Sequence, residues 1–126
     1  MHTVKIDTQK NRLCITLSGV LSLQEAIKVQ SEIISSLDRL QPHFDVINDL
    51  SKYIHGDESA GTILQSVTRL FIDKKVKRVV RVVGPSKTGL MQFAKYSQLE
   101  EPINIKYLPT IEEAEEFLSD PATENT

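Results

Sequence analysis

The sequence has little cysteine and no long apolar run. Cys14 is the single cysteine among 126 residues, which excludes a framework of intrachain disulfides, and its place in an alternating strand pattern favours a packing role over a nucleophilic one. No apolar stretch approaches the roughly 20 residues that a membrane-spanning helix needs. The N-terminus also lacks the basic-then-apolar pattern of a signal peptide. We therefore expect a cytoplasmic globular protein with no membrane span.

Strong net charge and clustered metal ligands are lacking too. The formal net charge is −2, and the basic residues of the middle third have no interleaved exposed aromatics, so nucleic-acid binding is not expected. The three histidines, His2, His43 and His55, match no metal-ligand spacing. The sequence therefore predicts neither a metal nor a cofactor.

What the sequence does contain is a regular alternation of strand and helix patterns. The predicted strands cover residues 3–7, 12–18, 44–50, 76–83 and 103–108. The predicted helices follow Ser22 and end before Pro42, span residues 58–73, follow Ser86 and end before Pro102, and follow Thr110. Ser22 with Glu25, and Thr110 with Glu113, have the spacing of capping boxes. The order ββαβαβαβα predicts one domain over residues 1–118 and a flexible tail over residues 119–126.

This order predicts an α/β fold with a five-stranded, mostly parallel sheet, in which the first strand is antiparallel to the second. Alternate residues of a strand point to opposite faces of the sheet. On one predicted face the residues are apolar and include Val80 and Val82, whereas the other face carries more polar residues. We therefore expect the helices mainly on one face and the other face partly exposed. On that exposed face, Arg81 is predicted to pair with Asp45 or Asp49.

The predicted exposed face also carries some apolar residues. Ile47, Val79 and Val83 lie on its parity. Exposed apolar strand positions usually find cover. The pattern therefore predicts a homodimer through this face.

The chain is organised around residues 44–61, where a buried strand is predicted to end in a polar loop that leads into a helix. We expect this loop to contact a partner. The predicted contact residues are Asp49, Ser51, Tyr53, Ile54, His55, Asp57, Glu58 and Gly61. Two other interpretations stay open. Ser51, His55 and an aspartate could form a hydrolytic triad, although the sequence has no nucleophile elbow of the kind that such enzymes often have. Alternatively, Ser51, Asp57 or Ser59 simply caps the helix.

A second strand-to-helix junction follows Val83. Free N–H groups at the predicted helix start, with Ser86 and Lys87 beside them, could hold an anion. Ser86 as an ordinary N-cap is the alternative.

The segment VINDLSKYIHGDESAGTIL, within this element order, resembles the STAS family of sulfate-transporter and anti-anti-sigma-factor domains. Asp49-Leu50-Ser51 matches the family's strand-ending triplet, and Asp57-Glu58-Ser59-Ala60 matches its Asp-Ser-Ser-Gly motif. The resemblance implies a SpoIIAA-like fold and a non-enzymatic regulatory module that binds a protein partner, such as a kinase-type anti-sigma factor. It also implies that Ser59 is the phosphoacceptor.

The ending TIEEAEEFL resembles the last helix of a wider SpoIIAA-like group that has been compared with Sec14 lipid-binding domains. That resemblance implies an alternative function. The chain would then carry a small apolar or lipid-like ligand between the helices and the sheet.

Overall fold

A computed structural model describes residues 1–84, 91, 92, 94, 95 and 105–120. The strands are β1 (His2–Asp7), β2 (Arg12–Leu21), β3 (Asp45–Gly56), β4 (Arg78–Val82) and β5 (Ile105–Leu108). The helices are α1 (Leu23–Leu37), α2 (Glu58–Asp73) and α3 (Ile111–Ser119). Residues 91, 92, 94 and 95 are helical as well, and the rest of the helix predicted after Ser86 lies outside the described residues.

The strands form one sheet in the order β1-β2-β3-β4-β5. β1 is antiparallel to β2, and every later neighbouring pair is parallel. The β1–β2 hairpin closes through Asn11, whose φ of 53° is a left-handed conformation that asparagine tolerates better than most residues. The predicted α/β fold class, with its mixed sheet, is therefore confirmed.

The larger core lies between the sheet and the pair α1 and α2. α2 has the predicted bounds, whereas α1 ends at Leu37, before the predicted limit near Pro42. The buried residues of α1 are Ala26, Val29, Ile33 and Leu37, whereas Ile27 and Ile34 are 47% and 46% exposed. Phe44 and Phe71 meet edge to face with ring centroids 6.2 Å apart, an arrangement that adds about 0.5–1.5 kcal/mol to their burial.

The smaller core lies on the opposite face, which α3 covers. Ile47, Val80 and Val82 pack there against α3 residues Ala114 and Leu118. The register pairs Val46 with Val79 and Ile47 with Val80. Since paired residues share a face, the predicted placement of Val80 and Val82 towards α1 and α2 is wrong.

The surface predicted for a homodimer is likewise not available on this face. Ile47 is buried beneath α3, and Val79 is buried in the core under α1 and α2. Helices α1 and α2 lie on one face, as expected, but α3 covers the face that the sequence pattern left partly open.

The same register decides on which face the charged side chains of β3 and β4 lie. Asp45 pairs with Arg78, not with Arg81, through bonds of 2.9 Å from Nε and 2.8 Å from Nη2. Arg81 lies on the α1–α2 side, opposite Asn48 in the register, and donates to the Tyr107 hydroxyl at 2.9 Å. Burial lowers the pKa of Arg81, although the contact with Tyr107 works in the opposite direction.

Candidate functional site

The predicted partner-binding loop is mostly strand. β3 continues past Leu50 to Gly56, because β2 also continues and pairs with it up to Leu21 opposite Gly56. The pairing shifts register twice, between Thr16 and Ser18 and between Gly19 and Val20. Gly19 adopts a φ of 72°, which a glycine can take without steric cost. The polar composition of residues 51–56 therefore reflects strand residues of mixed exposure, not a loop.

This strand end sorts the predicted contact residues into buried and accessible ones. Tyr53 is 3% exposed and belongs to the core under α1 and α2, whereas its neighbour Ile54 is 51% exposed. His55 is half-buried. Gly61 is buried on the inner side of α2. Tyr53 and Gly61 therefore do not lie on the surface that a partner could reach.

Asp49 and Ser51 form a local pair at the end of the β3–β4 ladder. Asp49 Oδ1 accepts from the Ser51 hydroxyl at 2.7 Å and from the Ser51 backbone N–H at 3.0 Å. Gly84 packs so tightly on the Ser51 backbone that a Cβ on it would lie 2.1 Å from the Ser51 carbonyl oxygen. The Ser51 side chain is thus held by Asp49, and its backbone is covered by Gly84.

The hydrolytic triad is not assembled around Ser51. Along an extended strand, His55 lies about 13 Å further on, and no hydrogen bond joins the two side chains in the part of the chain that the structure describes. The Ser51 hydroxyl donates to Asp49 and does not cap α2.

The start of α2 follows at once. Asp57 is the N-cap residue, with φ −60° and ψ 153°, but its side chain accepts no hydrogen bond from the helix. Its backbone is held, since the Asp57 N–H donates to Leu21 O at 3.1 Å and its carbonyl accepts from Gly61 N–H at 3.0 Å. Asp57, Glu58 and Ser59 are all exposed, and Ala60 is buried. The first turn of α2 thus presents two carboxylates and the Ser59 hydroxyl to solvent.

Gln92 is a residue that sequence reasoning missed. Its Oε1 accepts from the Gly56 N–H at 3.0 Å and from the Tyr53 hydroxyl at 3.2 Å, and its Nε2 donates to the Gly56 carbonyl at 3.2 Å. The contact joins positions 36 residues apart. No local pattern in the sequence signals such a pairing.

The remaining predicted features lie elsewhere or outside the described part. Ser86 and Lys87 are not among the described residues. In the described ranges, no group of three or more His, Cys, Asp or Glu side chains could hold a metal ion. The same ranges contain no helix long and apolar enough to cross a membrane.

A small cavity of about 20 Å³ lies between the helices and the sheet. Its lining is apolar except for Asn48, Thr68 and Arg81. This volume accommodates about one water molecule.

No protein-family model matches the sequence, and no curated protein matches it. Solved structures do match. An uncharacterized protein of the DUF3478 family from Shewanella loihica PV-4, with a SpoIIAA-like fold, is 16% identical and superposes with a TM-score of 0.69. The match covers 93% of each chain.

Two structures of SpoIIAA match as well. The anti-sigma factor antagonist SpoIIAA in its unphosphorylated form is 16% identical, with a TM-score of 0.62 and coverage of 91% of this chain and 94% of that one. The phosphorylated form of SpoIIAA, a Bacillus cell fate determinant, is 16% identical, with a TM-score of 0.59 and coverage of 92% and 97%. The chain therefore has the SpoIIAA-like fold over nearly its whole length.

Proposed function

We propose that this protein is a non-enzymatic regulatory module that binds a protein partner at the start of α2. The contact region, called here the α2-start surface, consists of Ile54, His55, Asp57, Glu58 and Ser59. The observation that carries the proposal is the exposure of Ser59 on the first turn of α2, in a fold shared with SpoIIAA in both its phosphorylated and unphosphorylated forms.

Phosphorylation of Ser59 would change this surface strongly. A phosphate adds about −1.5 to −2 charges, and the free N–H groups of a helix N-terminus favour an anion. The exposed carboxylates of Asp57 and Glu58 oppose it by repulsion. Since these effects act on exposed groups, the modification changes what the surface binds and leaves the core unchanged.

Phosphotransfer is testable by mass. The protein is incubated with ATP and a panel of purified anti-sigma-type kinases, and its intact mass is measured together with complex formation on a sizing column. We expect one added phosphoryl group, lost in Ser59→Ala and retained in the matched control Ser35→Ala, an exposed serine on α1. An unmodified mass and no complex with any kinase would contradict the proposal.

The alternative function, a carrier of a small apolar or lipid-like ligand, needs an interior pocket. Ligand pockets measure about 300–1,000 Å³, whereas the cavity that the described residues enclose between helices and sheet measures about 20 Å³. Native mass spectrometry of the purified protein separates the two functions. A co-purifying ligand would favour the carrier, and an apo mass favours the regulatory module.

A further inference from the structure

The edge of β3 that faces β4 has two different hydrogen-bonding neighbours along its length. β4 pairs with β3 only from Asp45 opposite Arg78 to Asp49 opposite Val82. β3 nevertheless runs on to Gly56, where the side chain of Gln92 binds it. A side chain therefore binds this end of the strand at a place that β4 does not reach.

The geometry of the Gln92 contact resembles one rung of strand pairing. A single carboxamide accepts from the Gly56 N–H and donates to the Gly56 carbonyl, so both backbone groups of that residue are satisfied by one side chain. The Tyr53 hydroxyl donates to the same Oε1 as a third hydrogen bond. A Cβ at position 56 would lie 2.8 Å from that hydroxyl oxygen, so a larger residue there would displace the Tyr53 side chain.

Gly56 directly precedes Asp57, the N-cap residue of α2. Because the Asp57 side chain makes no cap hydrogen bond, the first turn of α2 depends on how the backbone before it is held. The backbone bond from Asp57 to Leu21 holds the junction on the β2 side. The Gln92 carboxamide holds the adjacent residue from the other side.

We propose that Gln92 is a positioning residue for the α2-start surface. Its carboxamide fixes the Gly56–Asp57 junction, and through it the direction in which Asp57, Glu58 and Ser59 face solvent. The role of that surface in binding rests on the proposed function, whereas the positioning itself does not.

Amide hydrogen exchange of the full chain, resolved to single residues by NMR, tests this inference. In Gln92→Leu, the Gly56 N–H loses its acceptor, and we expect its exchange to accelerate about fivefold, the factor that corresponds to one net hydrogen bond. Smaller accelerations should appear at Asp57 to Ser59, and none in the buried part of α2 around Val67 and Phe71.

Three variants serve as comparisons. Gln92→Glu keeps an acceptor for the Gly56 N–H but loses the donor to the Gly56 carbonyl and places a carboxylate oxygen against it. Because that repulsion displaces the side chain, Gly56 exchange should accelerate, but by less than in Gln92→Leu. Tyr53→Phe removes one donor and leaves the Gly56 pair, so Gly56 exchange should stay close to the wild-type rate. Gln24→Leu, at an exposed α1 position, should change nothing.

A uniform acceleration across α1 and α2 in Gln92→Leu would assign Gln92 a general structural role and overturn the inference. Unchanged exchange at Gly56 would overturn it as well. The kinase experiment is separate: local loosening at Gly56 together with no phosphorylation of Ser59 would remove the proposed function and leave the positioning role intact.

Discussion

The two ends of β3 carry the same residue type in opposite situations. Asp45 at the first position is 6% exposed and receives two hydrogen bonds from Arg78. Asp57, just after the last position, is exposed and its side chain makes no cap hydrogen bond. Residue type therefore does not distinguish the buried end of the strand from the solvent-exposed end. The distinguishing property is whether the carboxylate has a partner within the fold.

Glu25, at the start of α1, is only partly exposed, and its carboxylate has partners within the fold. The Ser22 hydroxyl accepts from the Glu25 N–H at 3.2 Å, which is one half of the predicted capping box. The Glu25 carboxylate does not complete the box; it contacts His2 Nδ1 at 2.9 Å and the Met1 amine at 3.0 Å. The start of α1 thus has a side-chain cap hydrogen bond, whereas the start of α2 has none.

The largest effect is expected at the buried end of β3. Asp45→Asn leaves the Arg78 guanidinium buried without its carboxylate, which typically costs about 3–5 kcal/mol in the free energy of unfolding. Urea denaturation measures the loss. The double variant Asp45→Leu with Arg78→Met should recover most of it, because a buried pair can be replaced by apolar groups at little cost. A loss below about 1 kcal/mol in Asp45→Asn would mean that the pair is effectively solvated.

The next effect concerns a helix start that has a working cap. Ser22→Ala removes the acceptor for the Glu25 N–H, and we expect a loss of about 1 kcal/mol. Thr110→Ala is the matched variant at α3, where the threonine hydroxyl accepts from Glu113 N–H at 3.1 Å. The same urea titration measures both. Equal stability of wild type and both variants would show that water replaces these cap hydrogen bonds with no change in the free energy of unfolding.

Those two caps were predicted from the sequence, as were the order of the fully described strands and helices and the bounds of α2. Each depends on local signals: Ser22 or Thr110 three residues before a glutamate, and apolar residues at helical spacing from Glu58 to Asp73. Local signals suffice because a helix satisfies most of its backbone hydrogen bonds within its own segment.

The features that were mispredicted depend on distant partners. The side on which Val80 lies is decided by register with Ile47, and valine occurs on both parities of β4, so the pattern alone could not assign it. The extension of β3 beyond Leu50 depends on pairing with β2. The contact of Gln92 with Gly56 depends on how the chain folds back, which no spacing rule encodes.

A smaller, pH-dependent effect is expected at the start of α1. Burial works to lower the pKa of His2, but hydrogen bonds and charge from Glu25 and Glu32 outweigh it and raise the pKa above the ordinary 6.5. A raised folded-state pKa stabilises the protein fully below the unfolded value, and the gain is lost as the pH rises through the folded value. The stability difference between wild type and His2→Gln should therefore shrink as the pH rises above the ordinary histidine pKa of about 6.5. A difference that grows with pH in urea titrations would contradict this assignment.

The smallest effect on stability is expected at Asp57, just after the last residue of β3. It tests whether Asp57, unlike Asp45, lacks a partner within the fold. Asp57→Ala removes a carboxylate that makes no side-chain cap bond to α2, so the free energy of unfolding should change by no more than about 0.5 kcal/mol, as for an ordinary surface substitution. Asp57 has the position of a cap, and a cap aspartate that bonded the helix would cost about 1 kcal/mol when removed, as at Ser22. If Asp57→Ala costs as much as Ser22→Ala, the carboxylate caps α2 in solution, and the first turn is not open for an anion or a partner. If the cost is near zero, the N–H groups of that turn remain available beside Ser59, which is the condition that a phosphate-dependent contact requires.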